Sequence, residues 1–306
     1  MKTILVTGSN GLLGQKIIYA LLERSDVNCI ATAIGPNRMS QKDGYQYIPL
    51  DITNQEQVNA VFNDCKPHIV INTAALTNVD ACEAKRSEAT LLNVTATGYL
   101  IEACRWHGAH LVHLSTDFVF DGANGPYAET DDPNPLSHYA KTKLEGEQLL
   151  LSSGISWSIL RTIIIYGVVD DNSRSNVVLW TFNSLRNNVP IKVIEDQYRS
   201  PTLAEDLALA CIEAGMRKAQ GIYHVSGRET MSILDMVKIT ADYFKLDKQN
   251  IIPVTSASLN QAAKRPPVTG FIINKAEREL DFRPHSFLEG LAIIKKQLIR
   301  VGALES

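Results

Sequence analysis

Thr3-Ile-Leu-Val-Thr7 followed by Gly8-Ser-Asn10-Gly11-Leu12-Leu13-Gly14 decides the fold. The first five residues are a short apolar run and read as a buried strand. Leu12 to Arg24 carries Leu, Ile, Ala and Leu at helical spacing. Three glycines therefore lie between a strand and an amphipathic helix. Glycine lets a backbone turn tightly and approach a ligand closely. The free N–H groups at a helix start, aided by the helix dipole, suit a phosphate. A glycine triplet alone says little, but this placement makes it a pyrophosphate cradle. Gly8, Asn10, Gly11, Leu12, Leu13 and Gly14 are the candidate contacts.

Working outward, strand-like and helix-like stretches alternate. Asn28 to Ala33 reads as a strand, then Tyr47 to Leu50. Gln55 to Asp64 reads as a helix, His68 to Thr73 as a strand, Ser87 to His107 as a long helix and His110 to Leu114 as a strand. Asn134 reads as the cap of a helix with Pro135 at its first position, running to about Ser152. A further strand falls within Trp157 to Ile165. Alternation of this kind predicts an α/β fold: a doubly wound parallel sheet with helices on both faces. After Gly167 the rhythm breaks. Asp170 to Ser175 is polar and loop-like; helices are expected over Val177 to Arg186 and Ser232 to Phe244. The reading is a dinucleotide-binding domain over 1–168, with 200–225 returning to it, and a smaller C-terminal α/β substrate domain over 169–199 and 226–306.

Composition narrows the function. A net charge of -3 over 306 residues argues against nucleic acid and membrane surfaces, which select a basic face. No apolar run is long enough to span a membrane. The cysteines number 5, an odd count without a Cys-x-x-Cys pair, and so read as reduced thiols of a cytoplasmic protein. The first strand starts so early that no room remains for a signal peptide.

The second strand ends Ala31-Thr-Ala-Ile-Gly-Pro-Asn-Arg38. A carboxylate there would bind a free ribose 2′-OH and repel a 2′-phosphate. None is present, and Arg38 can pair with a phosphate. This favours NADP(H) over NAD(H). Tyr139-Ala-Lys-Thr-Lys143 lies on the helix expected after Asn134. Residues four apart share a helix face, so Lys143, not Lys141, stands beside Tyr139. A phenol titrates near 10, and a neighbouring ammonium lowers that value. Tyr139 could then give a proton to a carbonyl oxygen. Thr116, with Ser115 second, ends the fifth strand, at the sheet edge where such folds place ligands. Asp117 follows, to bind a sugar hydroxyl, assist a proton path or cap a loop.

Further segments sharpen this. Ser115-Thr-Asp-Phe-Val-Phe-Asp-Gly122, Pro126-Tyr-Ala-Glu129 and Tyr139-Ala-Lys-Thr-Lys-Leu-Glu-Gly-Glu147 resemble the dTDP-4-dehydrorhamnose reductase family. So do Asn72-Thr-Ala-Ala75 with Val79-Asp80, Arg161-Thr162 with Tyr166-Gly167, Asp196-Gln197 with Pro201-Thr202, and Arg265-Pro266. The segments span nearly the whole chain in the family's order. The resemblance implies an extended short-chain dehydrogenase/reductase that uses NAD(P)H to reduce the 4-keto group of a nucleotide-linked 6-deoxysugar. It implies Thr116, Tyr139 and Lys143 as the triad, and Asp51, Ile52, Ala74, Ala75, Leu76 and Ser115 at the cofactor. Asp117, Arg199 and Arg265 would lie at the sugar, and Asn93 near the active-site helix. Ile164 stands where the family commonly has tryptophan. Arg199 replaces a smaller residue, and Thr269-Gly270 an unlike pair. Gln15 replaces an acidic residue linked to magnesium, so no metal is expected. Two other readings stay open: an NADP-binding regulatory subunit resembling that of methionine adenosyltransferase, and a nucleotide-sugar epimerase. The helices Ser87 to His107 and Asn134 to Ser152 permit a homodimer.

Overall fold

The structure, a computed structural model, describes residues 1–171 and 175–305. Part of the polar loop expected over Asp170 to Ser175 lies outside the described residues. Seven strands form one sheet: β1 (Lys2–Thr7), β2 (Val27–Ala33), β3 (Gln46–Pro49), β4 (Ile69–Asn72), β5 (His110–Thr116), β6 (Trp157–Thr162) and β7 (Gly221–His224). Their order across the sheet is β7-β6-β5-β4-β1-β2-β3, and every neighbouring pair is parallel. The chain thus winds outward in both directions from β1. The reversal falls between β1 and β4, where the carboxyl ends of the strands leave a crevice.

The longer helices, in chain order, are α1 (Leu12–Leu22), α2 (Gln55–Cys65), α3 (Ala96–His107), α4 (His138–Leu151), α5 (Val177–Arg186), α6 (Ala204–Arg217), α7 (Ile233–Tyr243) and α8 (Phe287–Arg300). Leu13, Ile17, Ile18 and Leu21 of α1 meet Leu207, Ala208 and Cys211 of α6 on one face of the sheet. Val58 and Phe62 of α2, Leu100 and Cys104 of α3 and Leu150 of α4 cover the other. Both faces are therefore dry, and β4 and β6 are buried along their whole length, as central parallel strands must be. A separate core joins Val178 and Phe182 of α5, Met236 of α7, and Leu291, Ile294 and Leu298 of α8. Ser232 and Ser286 open α7 and α8 with reciprocal capping boxes. No helix among the described residues is long and apolar enough to cross a membrane.

Two expectations need correction. The helix that carries Tyr139 and Lys143 is capped by Ser137, whose hydroxyl accepts from Ala140 N–H, and not by Asn134. Asn134 is taken up elsewhere: its N–H reaches Val119 O and its amide Asp121 Oδ2 at 2.8 Å. The long helix expected over Ser87 to His107 is also not uniform. An α-turn at Arg86–Thr90 passes into a π-helical segment, Leu91–Thr95, before α3. That wider turn carries Asn93, and such turns often mark functional positions.

Candidate active site

The glycine turn leaves the sheet at the reversal. Gly8 has φ +71°, and a Cβ there would stand 2.8 Å from Ala74 N. A Cβ at Gly14 would meet Gly8 O at 2.4 Å. Both positions exclude a side chain, so α1 starts hard against β1 and β4. Gly11 precedes α1 without any side-chain cap. The first-turn N–H groups, at Leu12, Leu13 and Gly14, have no helical carbonyl within reach and stay open to a ligand. Asn10 does not face outward. Its Nδ2 donates to Pro36 O at 2.9 Å and lies 3.3 Å from the Tyr47 hydroxyl, and its Oδ1 accepts from Arg38 N–H at 2.9 Å. Asn10 thus clamps the loop bearing Arg38 onto the glycine turn. Asp51 uses Oδ1 to close its own turn on Thr53, and Ile52 is buried beside it. Leu76, beyond Ala74 and Ala75, is held at both N–H and C=O by the amide of Asn93, at 2.9 and 3.1 Å. The same amide donates to Thr142 of α4 at 3.0 Å. Asn93 therefore ties the end of β4 to the helix that carries Tyr139.

Tyr139 and Lys143 are both buried, and both face the end of β5. The Tyr139 hydroxyl faces that of Thr116. Lys143 Nζ donates to Leu114 O at 2.6 Å and lies 3.4 Å from His113 Nε2. Burial pushes the phenol well up, with the Asp117 carboxylate adding to the effect and the Thr116 hydroxyl opposing it. Burial pulls the lysine down to about 8, against the pull of Glu147. The expected lowering of the phenol by its lysine is therefore not what the free protein displays. The amine's bonds go to β5, and exclusion of water governs both groups. Ser115 Oγ, buried on the same strand, has no partner among the described residues. An orphaned donor there, beside the glycine cradle, fits a dinucleotide that spans the crevice.

The sugar end differs from expectation. Asp117 is buried; Oδ1 receives the Thr116 hydroxyl at 3.1 Å and Oδ2 receives the Thr269 hydroxyl. Burial raises its pKa, and Arg199, with Nε 3.6 Å away, opposes that. Arg199 is itself enclosed. Its remaining donors reach Tyr198 O, Pro267 O and Pro266 O at 2.7, 3.2 and 2.6 Å. Its donors are therefore taken up within the protein, which corrects its assignment as a direct ligand. Arg265 pairs with Asp80 at 2.7 Å and also holds Ala263 O. It is only partly covered and stands at the rim. Ile164, in the place of the family's tryptophan, has φ +29°, unusual for a branched side chain. Its carbonyl accepts Thr202 N–H at 3.0 Å. Gln15 Oε1 accepts Asp170 N–H. Sequence reasoning missed Thr269, whose only signal was an unusual residue pair, and His113, which only strand register reveals.

A doubly wound parallel sheet, a glycine turn at its reversal and a Tyr/Lys helix packed on β5 define an extended short-chain dehydrogenase/reductase. Residues 1–299 match the family described as the RmlD substrate binding domain, and the chain belongs to that family. It is 33% identical to methionine adenosyltransferase 2 subunit beta of Xenopus tropicalis, over 99% of this chain and 86% of that one. It is 31% identical to dTDP-4-dehydrorhamnose reductase of Aggregatibacter actinomycetemcomitans, over 96% of this chain and 99% of that one. Among solved structures, a dTDP-4-dehydrorhamnose reductase of Clostridium acetobutylicum superposes with a TM-score of 0.83 at 32% identity, covering 97% of this chain and 99% of that one. The Bacillus anthracis reductase, solved in complex with NADP, gives 0.82 at 30% identity, covering 97% and 100%.

Proposed function

We propose that this chain reduces the 4-keto group of a nucleotide-linked deoxysugar, with a nicotinamide cofactor as hydride source. The observation that carries the reading is the convergence of Thr116, Tyr139 and Lys143 on the end of β5, beside the glycine turn. The cofactor, when bound, supplies the hydride that reaches the carbonyl carbon. The residues of the chain do the rest. Gly8, Gly11 and the first turn of α1 receive the pyrophosphate. Asp51, Ile52 and Ala74 to Leu76 line the adenine side, and Ser115 supplies a free hydroxyl. Thr116 orients the ketone oxygen. Tyr139, a protonated phenol in the free protein, delivers the proton that turns this oxygen into an alcohol. Lys143 holds the ribose beside the phenol. Asp117 and Arg265 bound the sugar end, in a substrate domain built from 169–199 and 226–306.

NADP(H) is the preferred form in this reading. β2 ends at Ala33 and the loop after it offers Arg38 in place of a carboxylate. We place the protein in the cytoplasm as a homodimer. The test is a panel of nucleotide 4-keto sugars, following NAD(P)H consumption with each. Turnover with a dTDP-linked member supports the reading, and no oxidation across the panel removes it.

One observation favours a second reading. Arg199 and Thr269 already occupy Asp117, and the chain is as similar to a beta subunit of methionine adenosyltransferase as to any reductase named above. In that reading the chain binds the cofactor and serves a synthetase as a partner. Altered synthetase activity on mixing, with no hydride consumed, favours it.

A further inference from the structure

Thr7, Asn72 and His113 are register partners across β1, β4 and β5, and all three side chains are buried. They form a hydrogen-bonded row that ends at Lys143. The row has a direction. The backbone N–H of Ala74 can only donate, and it donates to Asn72 Oδ1 at 3.3 Å, as does the Thr7 hydroxyl at 2.6 Å. This fixes the amide, so Nδ2 faces His113 Nδ1 at 3.2 Å. Nδ2 is a donor, and Nδ1 must therefore accept. The proton of the neutral ring then sits on Nε2, which faces Lys143 Nζ at 3.4 Å. Two donors cannot share a hydrogen bond. An ammonium has no lone pair, whereas a neutral amine accepts one hydrogen bond and still donates to Leu114 O.

We propose that His113 is a positioning residue that holds Lys143 as a neutral amine in the free protein. The packing is built for this contact. Gly146, one helical turn beyond Lys143, leaves space where a Cβ would stand 3.5 Å from His113 Nε2 and 3.0 Å from Asn93 O. Of the other groups that face the pair, the Glu147 carboxylate pulls the lysine's pKa up. Glu147 on the lysine's own helix is bound by Arg161 from β6 at 2.6 and 3.0 Å. The π-helical segment presents Asn93, which is uncharged, and Asp117 and Cys82 face Tyr139. Burial keeps the imidazole itself from charging. Burial, against the pull of Glu147, brings Lys143 to about 8, and the His113 bond moves it further in the same direction. The free protein then rests with a neutral amine beside a protonated phenol, the state in which Tyr139 carries the proton that ketone reduction consumes. The role assigned to the pair rests on the reductase reading; the protonation state does not.

The test uses the full chain without cofactor or substrate, so its failure is separable from failure of the reductase assay. In wild-type protein, 15N NMR of the histidine rings should find His113 neutral with its proton on Nε2. Lysine-selective 13C NMR, assigned with Lys143→Arg, should show Lys143 titrating below about 8. His113→Gln keeps a donor at the Nε2 place and should leave that midpoint near wild type. His113→Asn keeps the partner of Asn72 but removes the donor, and should raise the midpoint by about one unit, tenfold in proton affinity. An Nδ1–H ring, a charged ring at neutral pH, or equal midpoints in the Asn and Gln variants overturns the proposal.

Discussion

Arg199 Nε stands 3.6 Å from the carboxylate of Asp117, with both side chains buried and Thr269 bonded to the same carboxylate. The cluster joins three distant stretches of chain at the site: the end of β5, the Tyr198–Arg199 strand and the segment after Pro266. Removing one member of a buried pair leaves the other uncompensated, at a cost of about 3–5 kcal/mol. Arg199→Met should lose stability on that scale in urea unfolding. It also takes the guanidinium away from three backbone carbonyls, of which Tyr198 O and Pro267 O keep a backbone N–H donor. Asp117→Asn added to Arg199→Met should recover part of the loss, since the orphaned charge is then gone. Fully additive losses would show that the two side chains do not act as a pair.

Tyr139→Phe removes the proton donor while keeping the ring against Phe118, whose centroid lies 6.0 Å away. Turnover should fall by about 10²–10⁴. Cofactor affinity should stay unchanged in a binding titration, because the phenol faces Thr116. Lys143→Met should lower both, since the amine anchors α4 to Leu114 as well as facing the cofactor crevice. A Phe variant that turns over normally would take the catalytic role away from Tyr139.

The parts that sequence reading reached and those it missed differ in a physical way. The glycine turn was legible because Gly8 and Gly14 are demanded by backbone contacts with Ala74 and Gly8, local enough to leave a fixed spacing. Tyr139 and Lys143 were legible because helical spacing alone puts them on one face. The cap was misread because Asn134-Pro135 is a good local start, yet the Asp121 carboxylate claims the asparagine. Arg199 was misread because charge suggests exposure. Only the tertiary fold brings three carbonyls and a carboxylate to that guanidinium. His113 left no trace, since its partners, Asn72 and Lys143, come from two other segments.

Arg38 is the residue by which the preference between cofactors can be measured. Its backbone is fixed by Asn10, and burial raises the Tyr47 phenol nearby, with the Arg38 charge opposing that rise. A hydrogen bond to a charged group contributes about 1.5–3 kcal/mol. Arg38→Ala should therefore weaken NADPH by about tenfold or more and leave NADH nearly unchanged, as read from dissociation constants. Equal weakening of both would make Arg38 a part of the loop's structure and not a reader of phosphate.

Acid should destabilise the fold through its buried histidines. His110 lies between the hydroxyls of Ser156 and Ser158 at 2.7 and 2.8 Å; burial holds it down to about 4. His224, stacked on Phe271 at 3.9 Å and facing Arg161, is held to about 3, chiefly by burial. His113 is depressed as well. In the unfolded chain all three titrate near 6.5. The unfolded state therefore binds more protons below that pH, and the folded state loses stability as pH falls from about 6.5 toward 4. Each ring contributes up to about 1.4 kcal/mol per pH unit within that window. Asp117 and Asp206, whose pKa values burial raises, act in the opposite sense. The urea midpoint should thus drop between about pH 7 and pH 5. His110→Gln, which can bond both serines without titrating, should make that slope shallower by about one proton. A midpoint that holds steady across the interval would mean that these rings are already charged in the native protein, or open to water.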